Sequence, residues 1–289
     1  MHAGETGLAP EALRERLAAK DGVIVVLGDR IDRAAIDAAP SLRVIANVAV
    51  GYDNLDVAYA RSRGIVVTNT PDVLTDATAD LTWGIILAVT RRLGEGERLL
   101  RRGEWKGFAF DFMLGTSLQG KQLGIVGAGR IGRAVAARAG AFGMAVAYTS
   151  RRTGVWDDAE QMSLDRLLAT SDVVSLHVPL APETRHLIDQ RALARMKRTA
   201  YLVNTTRGPV VDEEALVWAL RERLIAGAGL DVFEREPLVH PGLLAMENVV
   251  LIPHLGSATR ETRIAMAELA VRNVVAVLDG RPALTPVER

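Results

Sequence analysis

The sequence predicts an α/β protein of two doubly wound parallel-sheet domains, and three observations carry that prediction. Short apolar runs of the buried-strand kind recur along the chain, as in Val23–Leu27, Leu42–Val50, Leu123–Val126 and Asp172–Val178. Segments of helical periodicity separate them, which is the alternation a parallel sheet requires. The alternation also forms two groups, a smaller one early in the chain and a larger one after it.

Bulk properties narrow the function classes. The 289 residues carry 35 Lys and Arg against 35 Asp and Glu, so no charge excess points to nucleic acid or an acidic membrane surface. The length suits two domains with substantial cores. The absence of cysteine removes disulfides, thiolate metal sites and a cysteine nucleophile together. No metal-ligand spacing and no G-x-S-x-G motif occur. The opening MHAGETGLAPEALRERL lacks the apolar core of a signal peptide, and no apolar run approaches a membrane span. A cytoplasmic location is therefore expected.

Taken in order, the smaller group starts with a helix over 11–20 and the strand Val23–Leu27. A helix over Ile31–Ala39 follows, with Asp29 and Asp32 as candidate caps. The strand Leu42–Val50, a helix over Val57–Arg63 that stops at Gly64, and the strand Ile65–Thr68 complete the group. One long helix is expected from about Thr75 to Arg102, its apolar stretch Trp83–Val89 suggesting burial between two domains.

The larger group is organised around Leu123–Arg152. The strand Leu123–Val126 runs directly into Gly127-x-Gly129-x-x-Gly132, a helix carrying Ile131, Val135, Ala136, Ala139 and Phe142, and a second strand Met144–Tyr148. In this βαβ frame the motif signals a dinucleotide. Gly127 permits the tight turn, Gly129 lets the backbone approach a pyrophosphate, and Gly132 lets the helix pack on the strand. The N–H groups near Arg130 and Ile131 then face the phosphate charge. NAD-binding units usually end the second strand on an acid that holds the ribose 2′-hydroxyl. Here the chain reads Ser150-Arg151-Arg152, with no acid before Asp157, so NADP(H) is expected to be preferred and NAD(H) to be possible.

Residues 153–162 read as irregular and polar. A helix over Leu164–Ala169, strands over Asp172–Val178 and Ala200–Thr205, a helix over Asp212–Glu222, strands over Ala226–Val232 and Val249–Ile252, and a closing helix over Glu261–Asp279 follow. Three late strands each end on a reactive side chain: Arg207, Glu236 and His254. Doubly wound folds bind ligands at such ends. A histidine can donate the proton that a carbonyl oxygen needs as hydride arrives. A carboxylate beside it favours its charged form, and a guanidinium can hold the acid group of a keto acid. The other histidines, His2, His177, His186 and His240, lack such a constellation.

At this point the chain resembles the D-isomer-specific 2-hydroxyacid dehydrogenases, and within them the glyoxylate/hydroxypyruvate reductase branch. The resemblance rests on Asn47–Asp56, Thr70–Asp80, the glycine unit, Arg207-Gly208, Gly229–Pro237 and Pro253–Ala258, and runs from about Leu13 to the C-terminus. It implies a Rossmann-type coenzyme domain, residues 98–256, inserted in a flavodoxin-like substrate domain, residues 1–97 and 257–289. Relative to the family, that substrate domain lacks its first strand–helix unit.

The resemblance further implies that Arg207, Glu236 and His254 are substrate anchor, histidine partner and acid/base. Backbone N–H groups of Val50 and Gly51 are expected to bind the substrate carboxylate. Thr78, Arg130, Ile131, Pro179, Thr184, Thr205, Asp231 and Gly256 match cofactor positions, alongside Gly127, Gly129, Gly132, Ser150, Arg151 and Arg152. A homodimer is implied, with the segment Trp105–Phe112 as an arm towards the partner. Leu74, Trp105 and Phe108 are candidates for setting substrate size by position alone. The expected activity is reduction of glyoxylate, hydroxypyruvate or a similar small 2-keto acid by NAD(P)H. The alternatives are an NAD-dependent D-2-hydroxyacid or D-3-phosphoglycerate dehydrogenase, and a non-catalytic dinucleotide sensor resembling the family's corepressors.

Overall fold

The structure, a computed structural model, describes residues 8–288; His2 lies outside them. In chain order the elements are α1 (Pro10–Leu17), β1 (Gly22–Val25), α2 (Arg33–Asp37), β2 (Val44–Asn47), α3 (Val57–Ser62) and β3 (Val66–Thr68). Then come α4 (Thr75–Thr90), α5 (Leu93–Arg101), β4 (Gln122–Val126), α6 (Arg130–Arg138), β5 (Ala145–Thr149), β6 (Glu160–Gln161), α7 (Leu164–Thr170) and β7 (Val173–Leu176). The chain ends through α8 (Gln190–Arg195), β8 (Tyr201–Asn204), α9 (Glu213–Arg221), β9 (Gly227–Leu230), α10 (Pro241–Leu244), β10 (Val249–Leu251) and α11 (Arg260–Leu278).

Two compact units result, the smaller formed by the chain up to Leu74 and from Ser257 onward, the larger by Thr75–Gly256. In the smaller unit β1, β2 and β3 pair in that order, all parallel. Its core gathers Leu13, Leu17, Ile31, Ile36, Ile45 and Val67. Asp32 caps α2 by accepting from the Ala35 N–H at 3.0 Å, and Asp56 caps α3 likewise from Tyr59. Asp29 instead takes the Val26 N–H, so it closes the turn after β1 and caps no helix.

The larger unit holds a seven-stranded parallel sheet in the order β10-β9-β8-β7-β4-β5-β6. The winding direction reverses between β4 and β7, the topological switch point at which doubly wound sheets open a crevice for ligands. Strands β7, β8 and β9 are buried on both faces, which is why their sequences read as unbroken apolar runs.

Three expectations change. The long helix over 75–102 is two helices, because Arg92 adopts φ 55° and ends the first one. Its guanidinium turns back to hold Glu95 with two bonds of 2.7 and 2.8 Å, so a local ion pair replaces the Gly or Pro that normally marks a break. Residues 153–162 are not wholly irregular, since β6 adds an edge strand to β5. The first boundary lies at Leu74 and not at 97. Helix α4 packs within the larger unit, where Trp83 stacks on Phe142 at 4.2 Å and donates to the Val135 carbonyl at 2.9 Å.

Candidate active site

The glycine turn has the geometry its spacing implies. Gly127 sits at φ 108°, and a Cβ there would lie 2.5 Å from the His177 carbonyl oxygen, so β4 and β7 approach too closely for a side chain. A Cβ on Gly132 would meet the Gly127 carbonyl at 2.3 Å. Nothing lies within 4 Å of the corresponding position on Gly129, which leaves the start of α6 open to an approaching pyrophosphate. These residues fit a dinucleotide. At the end of β5, Ser150, Arg151 and Arg152 follow, with both guanidiniums exposed and meeting no carboxylate among the described residues. Gln161 of β6 holds the carbonyls of Ser150 and Arg152 at 3.2 and 2.8 Å, a support that the sequence reading missed.

A second group of expected cofactor residues lies in the loops after β7, β8, β9 and β10 and on α4. Asp231 is buried and accepts the N–H groups of Leu255 and Gly256. Burial raises its carboxyl above the ordinary value despite those bonds. Thr78 donates to the Gly256 carbonyl at 3.1 Å, and Thr205 meets Thr82 at 3.1 Å. Thr184 donates to the Pro179 carbonyl at 2.6 Å, closing the loop after β7. Thr78, Asp231 and Gly256 therefore form one connected cluster, while Pro179 and Thr184 form another.

The loops after β8, β9 and β10 carry Arg207, Glu236 and His254 within the larger unit. His254 adopts φ 52°, a left-handed conformation uncommon away from glycine, and its N–H donates to the Asp231 carbonyl at 2.9 Å. Its Nδ1 lies 2.8 Å from Glu236 Oε2. A carboxylate only accepts, so Nδ1 bears the proton and Nε2 is left for a substrate oxygen. Glu236 Oε1 accepts from the Phe233 N–H at 3.1 Å. Burial pushes the Glu236 carboxyl up, but the His254 bond and charge, the Phe233 amide and the Arg207 charge together bring it below the ordinary value. It stays ionised as His254's partner.

Arg207 is fixed from behind. Asn204 donates to the Arg207 carbonyl at 3.0 Å and accepts from the N–H and hydroxyl of Thr206 at 3.0 and 2.8 Å. The Arg207 Nη1 donates to the Thr206 carbonyl at 2.8 Å. Asn204 drew no attention in the sequence; as an Asn ending a buried strand before a turn, it carried the signal for this role.

In the smaller unit, the loop after β2 carries Val50 and Gly51. Asn69 donates to the Val50 carbonyl and Asn47 to the Gly51 carbonyl, each at 2.8 Å. Neither N–H of Val50 or Gly51 has a partner among the described residues. The Asn69 bond fixes the Val50–Gly51 peptide and so the Gly51 N–H, while the Thr70 N–H, donating to the Ala49 carbonyl at 2.9 Å, fixes the peptide that carries the Val50 N–H, so two oriented amide donors are left, the arrangement that an anion site needs.

His177, set aside at first, lies beside the glycine turn. Its Nε2 meets the buried Ser175 hydroxyl at 2.8 Å, and its Nδ1 is enclosed without a partner. Burial lowers the imidazole to about 3. A native pKa below the unfolded value means that stability is complete above about pH 6.5 and falls as the pH drops from there towards 3. The loss is at most about 1.4 kcal/mol per pH unit. Urea unfolding at pH 7 and pH 5 should show a larger loss for the native chain than for His177→Gln; equal losses would remove His177 as the cause.

Comparison with known proteins agrees with this geometry. The family model described as "D-isomer specific 2-hydroxyacid dehydrogenase, NAD binding domain" matches residues 83–256. The glyoxylate reductase of Thermococcus onnurineus is 50% identical over 293 residues, spanning 99% of this chain and 88% of that protein. The crystal structure of TT0316 protein from Thermus thermophilus superposes with a TM-score of 0.93 at 51% identity, covering 97% of this chain and 90% of that one. An NADPH-dependent glyoxylate/hydroxypyruvate reductase from Sinorhizobium meliloti, solved with NADP and malonate, gives a TM-score of 0.87 at 41% identity over 94% of this chain and 85% of its own. With the glycine crevice, the imidazole–carboxylate pair and these relatives in agreement, the chain belongs to the D-isomer-specific 2-hydroxyacid dehydrogenase family.

Proposed function

We propose that this chain reduces glyoxylate, hydroxypyruvate or a similar small 2-keto acid, with NADPH preferred over NADH, giving the D-hydroxy acid where a stereocentre results. The observation that carries the reading is the 2.8 Å pair of His254 and Glu236 at the carboxyl edge of the coenzyme-type sheet.

The coenzyme, when bound, supplies hydride to the keto carbon. His254, held by Glu236 through Nδ1, donates a proton from Nε2 to the carbonyl oxygen when both ring nitrogens carry protons. Arg207 binds the acid group and polarises the carbonyl; in the smaller unit, the Val50 and Gly51 N–H groups are donors suited to a carboxylate. Gly127, Gly129, Gly132 and the N–H groups at Arg130 and Ile131 receive the pyrophosphate. Thr78, Pro179, Thr184, Thr205, Asp231 and Gly256 border the nicotinamide half, and Ser150, Arg151 and Arg152 the adenosine ribose.

The direct test follows absorbance at the reduced-nicotinamide band with glyoxylate or hydroxypyruvate and each coenzyme in turn. Rapid loss of NADPH supports the reading. Coenzyme binding without turnover on either acid would replace it with the sensor-like reading.

Cofactor choice gives a sharper expectation. Arg151→Asp sets a carboxylate where the 2′-phosphate would lie, and each charge-assisted bond gained or lost is worth about 1.5–3 kcal/mol. The ratio of kcat/KM for NADPH over NADH should fall by about tenfold or more and favour NADH; an unchanged ratio would refute the 2′-phosphate role.

A homodimer is also proposed. Trp105, Phe108, Phe110 and Phe112 are exposed on one segment, Phe108 and Phe110 by 90% and 93%. Such an exposed aromatic run marks an interaction site, and the partner that fits is a second copy. Light scattering should give a dimer for the native chain and a smaller species for the Phe108→Ser, Phe110→Ser double variant. Equal masses for the two would overturn the arm's role. Among the described residues no helix is long and apolar enough to cross a membrane, in keeping with a proposed cytoplasmic location.

A further inference from the structure

Beneath the catalytic loops lies a pair of carboxylates that the proposed mechanism does not use. Glu213, the first residue of α9, accepts the Glu234 N–H at 2.7 Å. Glu234 in return accepts the Glu213 N–H at 3.1 Å. His186 closes on Glu234 from the loop after β7, its Nε2 2.9 Å from Oε1. Glu213 is buried, and its carboxyl is raised by that burial, with the Glu234 charge adding to the rise and the Glu234 amide opposing it.

Two facing acids, one of them buried, are an unfavourable choice for stability alone. Their position gives them another use. The Phe233–Glu234 peptide that they clasp is also where Gly208 lands: a Cβ on Gly208 would lie 1.8 Å from the Phe233 carbonyl carbon and 2.3 Å from the Glu234 nitrogen. One side of this peptide therefore supports the turn that carries Arg207. Its neighbouring N–H, that of Phe233, holds Glu236 Oε1, and Glu236 Oε2 holds His254. Displacement of one peptide would reach all three reactive side chains.

We propose that Glu213 and Glu234 are positioning residues, clasping the Phe233–Glu234 peptide so that Glu236, His254 and Arg207 keep their mutual geometry. The clasp rests on the catalytic reading above for its kinetic consequences, and on the hydrogen bonds alone for its effect on His254. The charged groups facing Glu236 are His254, Arg207 and Asp231; those facing the clasp are His186, Asp212, Arg235 and His240.

The test compares Glu213→Ala with Glu213→Gln, whose amide oxygen can still accept the Glu234 N–H. Glu213→Ala should lower kcat for glyoxylate by about tenfold or more, the scale of a small misplacement of reacting groups. Coenzyme affinity should be unchanged, and the alkaline limb of the pH profile of kcat/KM should move to lower pH as Glu236 swings from His254. Glu213→Gln should recover most of kcat and return the limb. The Nδ1 proton resonance of His254 in selectively ¹⁵N-histidine-labelled protein should broaden or shift upfield in Glu213→Ala and be restored in Glu213→Gln. Loss of thermal stability in Glu213→Ala with kcat, pH profile and resonance unmoved would overturn the proposal. Should the native chain turn over neither acid, the resonance still decides the clasp, and the failure would belong to the substrate reading.

Discussion

His254→Ala is expected to lower kcat by about 10²–10⁴-fold, the range that a positioned general acid contributes. The substitution removes the imidazole that Glu236 orients, at 2.8 Å through Nδ1. Because His254 lies after β10 and the glycine turn after β4, NADPH binding should be kept, and fluorescence titration checks that. Glu236→Gln should fall less far, since an amide still positions the ring but no longer offsets its charge. An active His254→Ala enzyme would place the proton source elsewhere and remove the central element of the mechanism.

Arg207→Ala should raise the KM for glyoxylate and lower kcat/KM by about 10²–10³-fold, as expected when a charge-assisted pair to a bound acid loses one partner. Asn204 and Gly208 fix the Arg207 backbone from two sides, so the loss should be chemical and leave the fold intact, with thermal unfolding close to native. Arg207→Lys should recover little, because an ammonium is a point charge that cannot make the paired, planar contact. Recovery by lysine would show that charge alone is needed at this position.

Much of this architecture was legible in the sequence because its determinants are local. The turn at Gly127 announces itself through three glycines, and the caps at Asp32 and Asp56 through one side chain each. Arg207, Glu236 and His254 could be grouped because parallel strands deliver their following loops to one edge of the sheet. What stayed hidden depended on partners distant in sequence or on strain without a glycine. The break at Arg92 is a left-handed arginine held by Glu95, which no propensity favours. That helix α4 belongs to the larger unit, with Trp83 stacked on Phe142, likewise rests on a partner distant in sequence. Glu213 and Glu234 stand 21 positions apart, each ordinary alone, and only the fold reveals that each acid holds the other's amide.

The two asparagines behind the Val50–Gly51 loop carry a different lesson. Because Asn69 and Asn47 hold the peptides on either side of Gly51, and the Thr70 N–H holds the one before Val50, the donors offered there belong to the main chain and are indifferent to the side chain at position 50. Drift at that side chain should then leave the proposed grip on an acid group in place. The fragile positions are the supports, whose loss would free the peptides to rotate and turn a donor into an acceptor. In a mutational scan, then, the loop itself should look permissive and its silent neighbours Asn47 and Asn69 intolerant, an inversion of what proximity to the ligand would suggest.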